Sequence, residues 1–274
     1  MISRALTTVL LTGFVAGILY TGAQMLRVTP LILEAEKYEI AEIALPHSHV
    51  ASGITHTHVL NGVALDVHQR VATPHENLPA AHDHAGVAHA TENWAPGDGA
   101  ERTFYTAVSN IVTGIAFSLM LVAVFLLRGK TVDMNSGILW GAAGFAVFAL
   151  APALGLPPEL PGMTAAALES RQVWWIGTVI ATAIGIGLFT ESKTILAKIA
   201  ALALLAAPHL IGAPHPFLFE SNVPAELSAQ FAIASLVTSA FFWFVLGGTS
   251  GYLYKKLVIE SSSVLFKTSS LNPQ

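Results

Sequence analysis

Residues 104–127 read FYTAVSNIVTGIAFSLMLVAVFLL, a run with no charged side chain that stops at Arg128. A helix that crosses a bilayer needs about 20 predominantly apolar residues, and this run supplies them. Working outward, five more stretches have the same character: residues 5–26, 137–154, 173–189, 195–212 and 227–252. The third to fifth of the six in chain order are somewhat short, as spans buried among others can be. Lys198 sits one turn inside the fifth and can snorkel to the interface. Composition agrees: 53% of the 274 residues are hydrophobic and 11% charged, against about 25% charged in ordinary soluble domains. Mean hydropathy is +0.61. The reading is an all-α, polytopic membrane helix bundle of about six transmembrane helices.

The first stretch begins with Arg4 and has small residues near Gly22 and Ala23, as a cleaved signal peptide would. Its apolar run is too long for that, so a retained helix is expected. Gly13 and Gly17 form a small-xxx-small pair that lets a neighbouring helix approach closely. Basic residues set the orientation. Arg4, Arg128 with Lys130, Lys193, and Lys255 with Lys256 occupy alternate connections, and the remaining connections carry few basic residues. Both termini are therefore expected on the cytoplasmic side. The resulting organisation is a first helix over 1–27, a long irregular outer loop over 28–103, a five-helix bundle over 104–254 and a cytoplasmic tail over 255–274. Trp94, Trp174 and Trp175 suit interfacial anchoring. Within the bundle, 137–190 and 195–252 read as a parallel repeat. Ala151-Pro152-x-Leu154 recurs as Ala207-Pro208-x-Leu210, and Ala167 to Gln172 as Ala225 to Gln230.

The long connection is rich in histidine. Nine of the eleven histidines lie between His47 and His89. Three H-x-H pairs stand out, His47/His49, His56/His58 and His82/His84, with His68, His75 and His89 between or after them. In an extended chain, residues two apart face the same way, about 6.5–7 Å from each other. Two neutral imidazoles so placed can grip one divalent first-row ion, with a third ligand from elsewhere in the loop. Ten acidic residues between Glu34 and Glu101 would concentrate cations nearby. Imidazole sites rank copper above nickel and zinc, so affinity alone does not name the ion.

Polar residues inside the spans are few: Gln24, Ser109, Asn110 and Gln230, with Gln172 at a border and no carboxylate at any centre. Such residues are expensive in a membrane and often functional. The outer end of the fifth span, Ala207-Pro208-His209-Leu210-Ile211-Gly212-Ala213-Pro214-His215-Pro216, places His209 and His215 among prolines that free backbone carbonyls. Glu34, Glu36, Glu169 and Glu226 lie near the same level. Together they suggest a vestibule that passes a cation inward.

Much else is excluded. With no cysteine there are no disulfides, thiolate metal sites or iron–sulfur ligands. The net charge of −4 is spread along the chain, so no nucleic-acid partner is expected. Gly129-Lys130-Thr131 is not a P-loop, because Val124 stands where the first glycine is required. ATP-driven work would need a partner. Neither H-E-x-x-H nor G-x-S-x-G occurs, and no prosthetic group or enzymatic role is expected.

Five segments carry a family resemblance. They are Pro30-Leu31-Ile32 followed by Ala35-Glu36-x-Tyr38-Glu39, the stretch from Trp94 through Pro96, Asp98, Gly99 and Glu101 to Arg102-Thr103, Leu156-Pro157-Pro158-Glu159-Leu160-Pro161-Gly162, Arg171-Gln172-x-Trp174-Trp175, and Pro208-His209-Leu210-Ile211-Gly212-Ala213-Pro214. In this order they resemble CbtA, a family of predicted cobalt transporter subunits, over nearly the whole chain. The resemblance implies a bacterial inner-membrane protein that imports cobalt, as substrate, for cobalamin synthesis. It also implies a small, single-span, histidine-containing partner, CbtB. Family members are often described with five spans, whereas the basic-residue parity gives six.

Overall fold

The computed structural model describes residues 2–44, 96–216 and 221–260. The helices are α1 (Ile2–Arg27), α2 (Thr29–Ala44), α3 (Ala100–Arg128), α4 (Met134–Ala153), α5 (Leu168–Glu191), α6 (Ile195–Ile211) and α7 (Ala225–Leu253), the last continuing as π turns over Tyr254–Glu260. The helical tail therefore reaches further than the expected end of the bundle. Among the described residues the one departure from helix and loop is an isolated antiparallel bridge between Met163 and Ser221. The all-helical membrane architecture is as the apolar runs predict.

Glycine decides which helices pair. Where lipid surrounds a bundle, one apolar surface gains little by leaving lipid for another, so close packing of backbones must hold helices together. Gly13 and Gly17 of α1 lie directly against Ile115 and Ile111 of α3, and Gly114 returns the contact to Gly13. A second seam joins α4 to α7. Gly137, Gly141 and Gly144 face Gly247, Gly251 and Trp243, so closely that a β-carbon on Gly247 would lie 2.7 Å from the Gly141 backbone. Both pairs run antiparallel, as the descending partner numbers show. Phe117, Phe148, Phe242 and Trp243 fill the space between the seams; Phe148 stacks on Trp243 with centroids 5.5 Å apart and planes at 9°.

Ala5 and Val9 near the start of α1 share one apolar cluster with Tyr254 and Val258 beyond the end of α7. The two ends of the described chain thus meet at one end of the bundle, the termini end. The chain leaves Ala44 and returns at Pro96 at the other, the loop end. Five helices are long and apolar enough to cross a membrane: α1, α3, α4, α5 and α7 with its π extension. A shorter apolar helix, α6, follows α5. It is 17 residues long, about 25 Å of helix, and it packs only on α5 to any extent.

Two local features position the loop end. The long connection does not begin as irregular chain. Val28 donates to the Gln24 carbonyl and Ile32 to that of Val28, so α2 follows α1 almost without a break. Pro30 is tolerated there because a helix's first turn has no use for its N–H. Val28 and Ala35 are buried against Leu160, Val223 and Phe231, which fastens α2 over the connections after α4 and α6. The second feature is in α4, which widens into a π turn over Ala146–Leu150. It lies directly before Pro152, which lacks an N–H and crowds the carbonyl four residues back. The widened turn carries Phe148 to the centre of the aromatic cluster.

Candidate functional site

His47, His49, His56, His58, His82, His84 and His89 lie outside the described residues, as do His68, His75 and Trp94. His209 and His215 are described, and both are exposed. His209 belongs to the last turn of α6, where its ring meets Trp174 edge-on with centroids 6.1 Å apart. The Trp174 indole N–H donates 3.3 Å to the Pro208 carbonyl, which also accepts from the Gly212 N–H. Trp174 is therefore a clasp between α5 and α6. The carbonyl that Pro208 deprives of its usual donor is that of Leu204, one turn inward of the histidine.

Three of the acids expected at this level have other partners. Glu34 pairs with Lys37 at 2.6 Å, Glu36 with Arg102, and Glu226 accepts from Gln230 at 3.3 Å within the first turn of α7. Glu169 alone shares a space with the proline segment, a groove of about 800 Å³ bordered by Trp174, Pro208, Gly212 and Pro214. Among the described residues no three His, Asp or Glu side chains stand close enough together to hold a metal ion.

A larger cavity of about 840 Å³ lies at the loop end between α1, α4, α5 and α7. Glu159 and Arg171 line it with Gln172, Ser235, Ser239 and Tyr20. Arg171 Nη2 lies 2.7 Å from Glu159 Oε2, and both side chains are mostly buried. The Arg171 Nε–H is buried with no partner among the described residues. The spacing of Glu159 and Arg171, either side of a connection, gives no helical or strand signal that would pair them in the sequence.

Beside the cavity the polar residues of α1 and α3 meet. The Asn110 carboxamide donates 2.7 Å to the Gln24 side-chain oxygen and 3.0 Å to the Thr21 hydroxyl. Tyr20, on the cavity wall, is within hydrogen-bonding reach of Gln24. On the far side of Gln24 is a second cavity, of about 600 Å³, with Met25, Arg102 and Thr103 on its wall. Arg102 there binds Glu36 through both nitrogens and reaches Asp98 at 3.2 Å. The sequence marks Gln24 and Asn110 as unusual one by one; the structure makes them one network.

These contacts tie together segments far apart in the chain. Ala35-Glu36 is bonded to the Asp98–Arg102 stretch, Pro158-Glu159 to Arg171, and Trp174 to Pro208-His209. They are the segments that carry the family resemblance, and they assemble at the loop end. No curated protein and no solved structure matches the chain. A family model described as "Probable cobalt transporter subunit (CbtA)" matches residues 2–255, nearly the whole length. The chain belongs to the CbtA family of probable cobalt transporter subunits.

Proposed function

We propose that this chain is the membrane subunit of a divalent-cation importer that brings cobalt into a bacterial cell for cobalamin synthesis. The observation that carries the reading is the family match over residues 2–255, in a chain whose resemblance-bearing segments gather around one end of a membrane bundle. In this reading the loop end faces the periplasm and the termini end the cytoplasm of an inner-membrane protein. Arg4, Arg128, Lys130, Lys193, Lys255 and Lys256 support that orientation, since basic residues favour the cytoplasmic side.

The histidine pairs His47/His49, His56/His58 and His82/His84, with His89, capture the ion and raise its local concentration. His209 and His215 belong to the vestibule that hands it on, and the cavity beside Glu159 receives it. A small single-span, histidine-containing partner of the CbtB kind completes the transporter and supplies ligands that the described residues lack. The two halves 137–190 and 195–252 form a parallel repeat. The bridge between Met163 and Ser221 supports this, because their separation equals that of Ala167 and Ala225 in the repeat.

Cobalt uptake into proteoliposomes, with and without residues 47–89 and with and without the small partner, tests the reading. Uptake that needs the partner and falls without the loop at limiting metal is expected. Unchanged uptake at limiting metal would remove the capture role. A second reading is a non-conducting metal-binding accessory or sensor. It is favoured by the absence of any three-ligand cluster among the described residues and by the glycine-sealed seams. It predicts bound metal with no flux in the same vesicles, partner present.

A further inference from the structure

At the termini end, α5 stands away from α3 and α4. Apart from its packing on α6, its contacts with the bundle gather near the loop end, around the π turn and the turn that follows it. Towards the termini end an apolar groove of about 430 Å³ separates the three helices, walled by Leu121, Val124, Leu139, Val147 and Ile186. Gly187 opens onto free space, with nothing within 4 Å of where a β-carbon would be. In a bilayer such a groove cannot stay empty without losing contacts along its whole wall. Water has too few polar partners there to fill it. An acyl chain meets neither objection.

The mouth of the groove decides which lipid. Arg128 reaches across it to Glu191 at 2.7 Å and lays its guanidinium over the Trp140 ring, 5.3 Å from the centroid. Trp140 at this level suits a headgroup boundary. Lys130 lies close enough to act on the Glu191 carboxylate, and Lys193 follows two residues after that acid. Two cations, Arg128 and Lys130, therefore share one acid. The nearby Asp133 is occupied by Ser136 and faces Lys255 on the α7 side. The excess is positive, at the depth of a phosphate.

We infer that this groove is a binding site for an anionic phospholipid, its acyl chain along α3, α4 and α5 and its phosphate on Arg128 and Lys130. The site is at the opposite end from the ion cavity and does not depend on the transport reading. An anionic lipid here would act as a wedge that fixes the spacing of the α5–α6 hairpin.

Native mass spectrometry of the purified full chain, titrated with palmitoyl-oleoyl phosphatidylglycerol or phosphatidylcholine, tests this. The phosphatidylglycerol adduct is expected to form at lower lipid concentration and survive higher collision energy. Arg128→Gln with Lys130→Gln should weaken it about thirtyfold and leave phosphatidylcholine unchanged, each basic group at a membrane surface contributing about a factor of five. Gly187→Leu fills the groove without touching the charges or any packed helix face, and should remove the tightly held lipid. Equal retention of the two lipids would overturn the proposal. So would phosphatidylglycerol binding unchanged in the double variant or in Gly187→Leu.

Discussion

Glu36 and Arg102, 66 residues apart, are joined by two hydrogen bonds across the two ends of the long connection, the shorter 2.5 Å. The pair closes the base of that connection independently of whatever lies between. Replacing residues 47–89 by a short polar linker should therefore leave the bundle folded, with its melting in detergent, followed by tryptophan fluorescence, shifted by only a few degrees. Arg102→Ala in the full chain should cost about 1 kcal/mol, as for a partly screened ion pair. Restoration of the melt by the charge swap Glu36→Arg with Arg102→Glu would assign the loss to the pair.

The α4–α7 seam predicts the largest stability losses. Gly141→Leu or Gly247→Leu drives a side chain into the facing backbone, where no rotamer change relieves the clash. Overpacking usually costs about 1–3 kcal/mol, and a clash with backbone belongs at the top of that range. Gly22→Leu, facing open space, is the control and should melt as wild type does.

Asn110→Leu removes both hydrogen bonds to α1 and leaves Gln24 and Thr21 without that donor. Interhelical hydrogen bonds in membranes average about 0.6 kcal/mol and reach about 1.7, so a loss near 1 kcal/mol is expected. Chemical unfolding of Asn110→Leu and Gln24→Leu, singly and together, measures it. Additive effects would show that the two side chains act separately.

The fold was easier to read than its partnerships. Apolar runs announce spans directly, because a bilayer sets their length. The small-xxx-small pair Gly13/Gly17 is visible for the same reason, and it meets α3. The equally regular Gly137/Gly141 and Gly247/Gly251 became meaningful only once α4 and α7 were seen side by side, because spacing reveals a sticky face and not the face it meets. Val28 onward reads as a loop because Pro30 and a cluster of acids interrupt the apolar pattern. α2 forms there through Val28, Ala35 and Phe231, contacts made by the fold and not by the neighbouring sequence. Of the expected site, Glu169 and the Pro208–Pro214 segment come together; Glu36 and Glu226 are satisfied elsewhere. Local sequence holds the acids and bases but not their pairing, so Glu159 with Arg171 was out of reach.

Glu159→Gln offers a test of the cavity. It keeps the shape but leaves the Arg171 guanidinium uncompensated on the cavity wall, where it repels a divalent cation. Uptake should fall while metal binding by the loop is retained. A second change, Arg171→Gln, should recover part of the uptake. Flux in the same proteoliposomes measures both, and undiminished uptake in Glu159→Gln would place the path elsewhere.

Asp133 caps α4. Its carboxylate accepts from the Ser136 N–H at 3.0 Å and from the Ser136 hydroxyl at 2.7 Å, which holds its pKa below the usual carboxylate range. Its contribution is full above the ordinary carboxyl pKa and fades as acid protonates it, below about pH 4. Asp133→Ala should lower the melting temperature at pH 7, and the gap from wild type should narrow as the pH falls through that range. A gap that stayed constant would assign the effect to something other than the cap.

The brevity of α6 has a consequence for the surrounding lipid. Seventeen residues give about 25 Å of helix, against a hydrocarbon core of about 30 Å. Leu210 and Ile211 are exposed at one end and Lys198 lies one turn from the other. As the sixth span that the basic-residue parity calls for, α6 would pull the two leaflets together beside the α5–α6 hairpin, while the long helices on the other flank hold them apart. The protein would then sit in a dimpled bilayer, with acyl-chain length a control on its stability. Reconstitution in a series of lipids of increasing chain length should find the optimum at the short end.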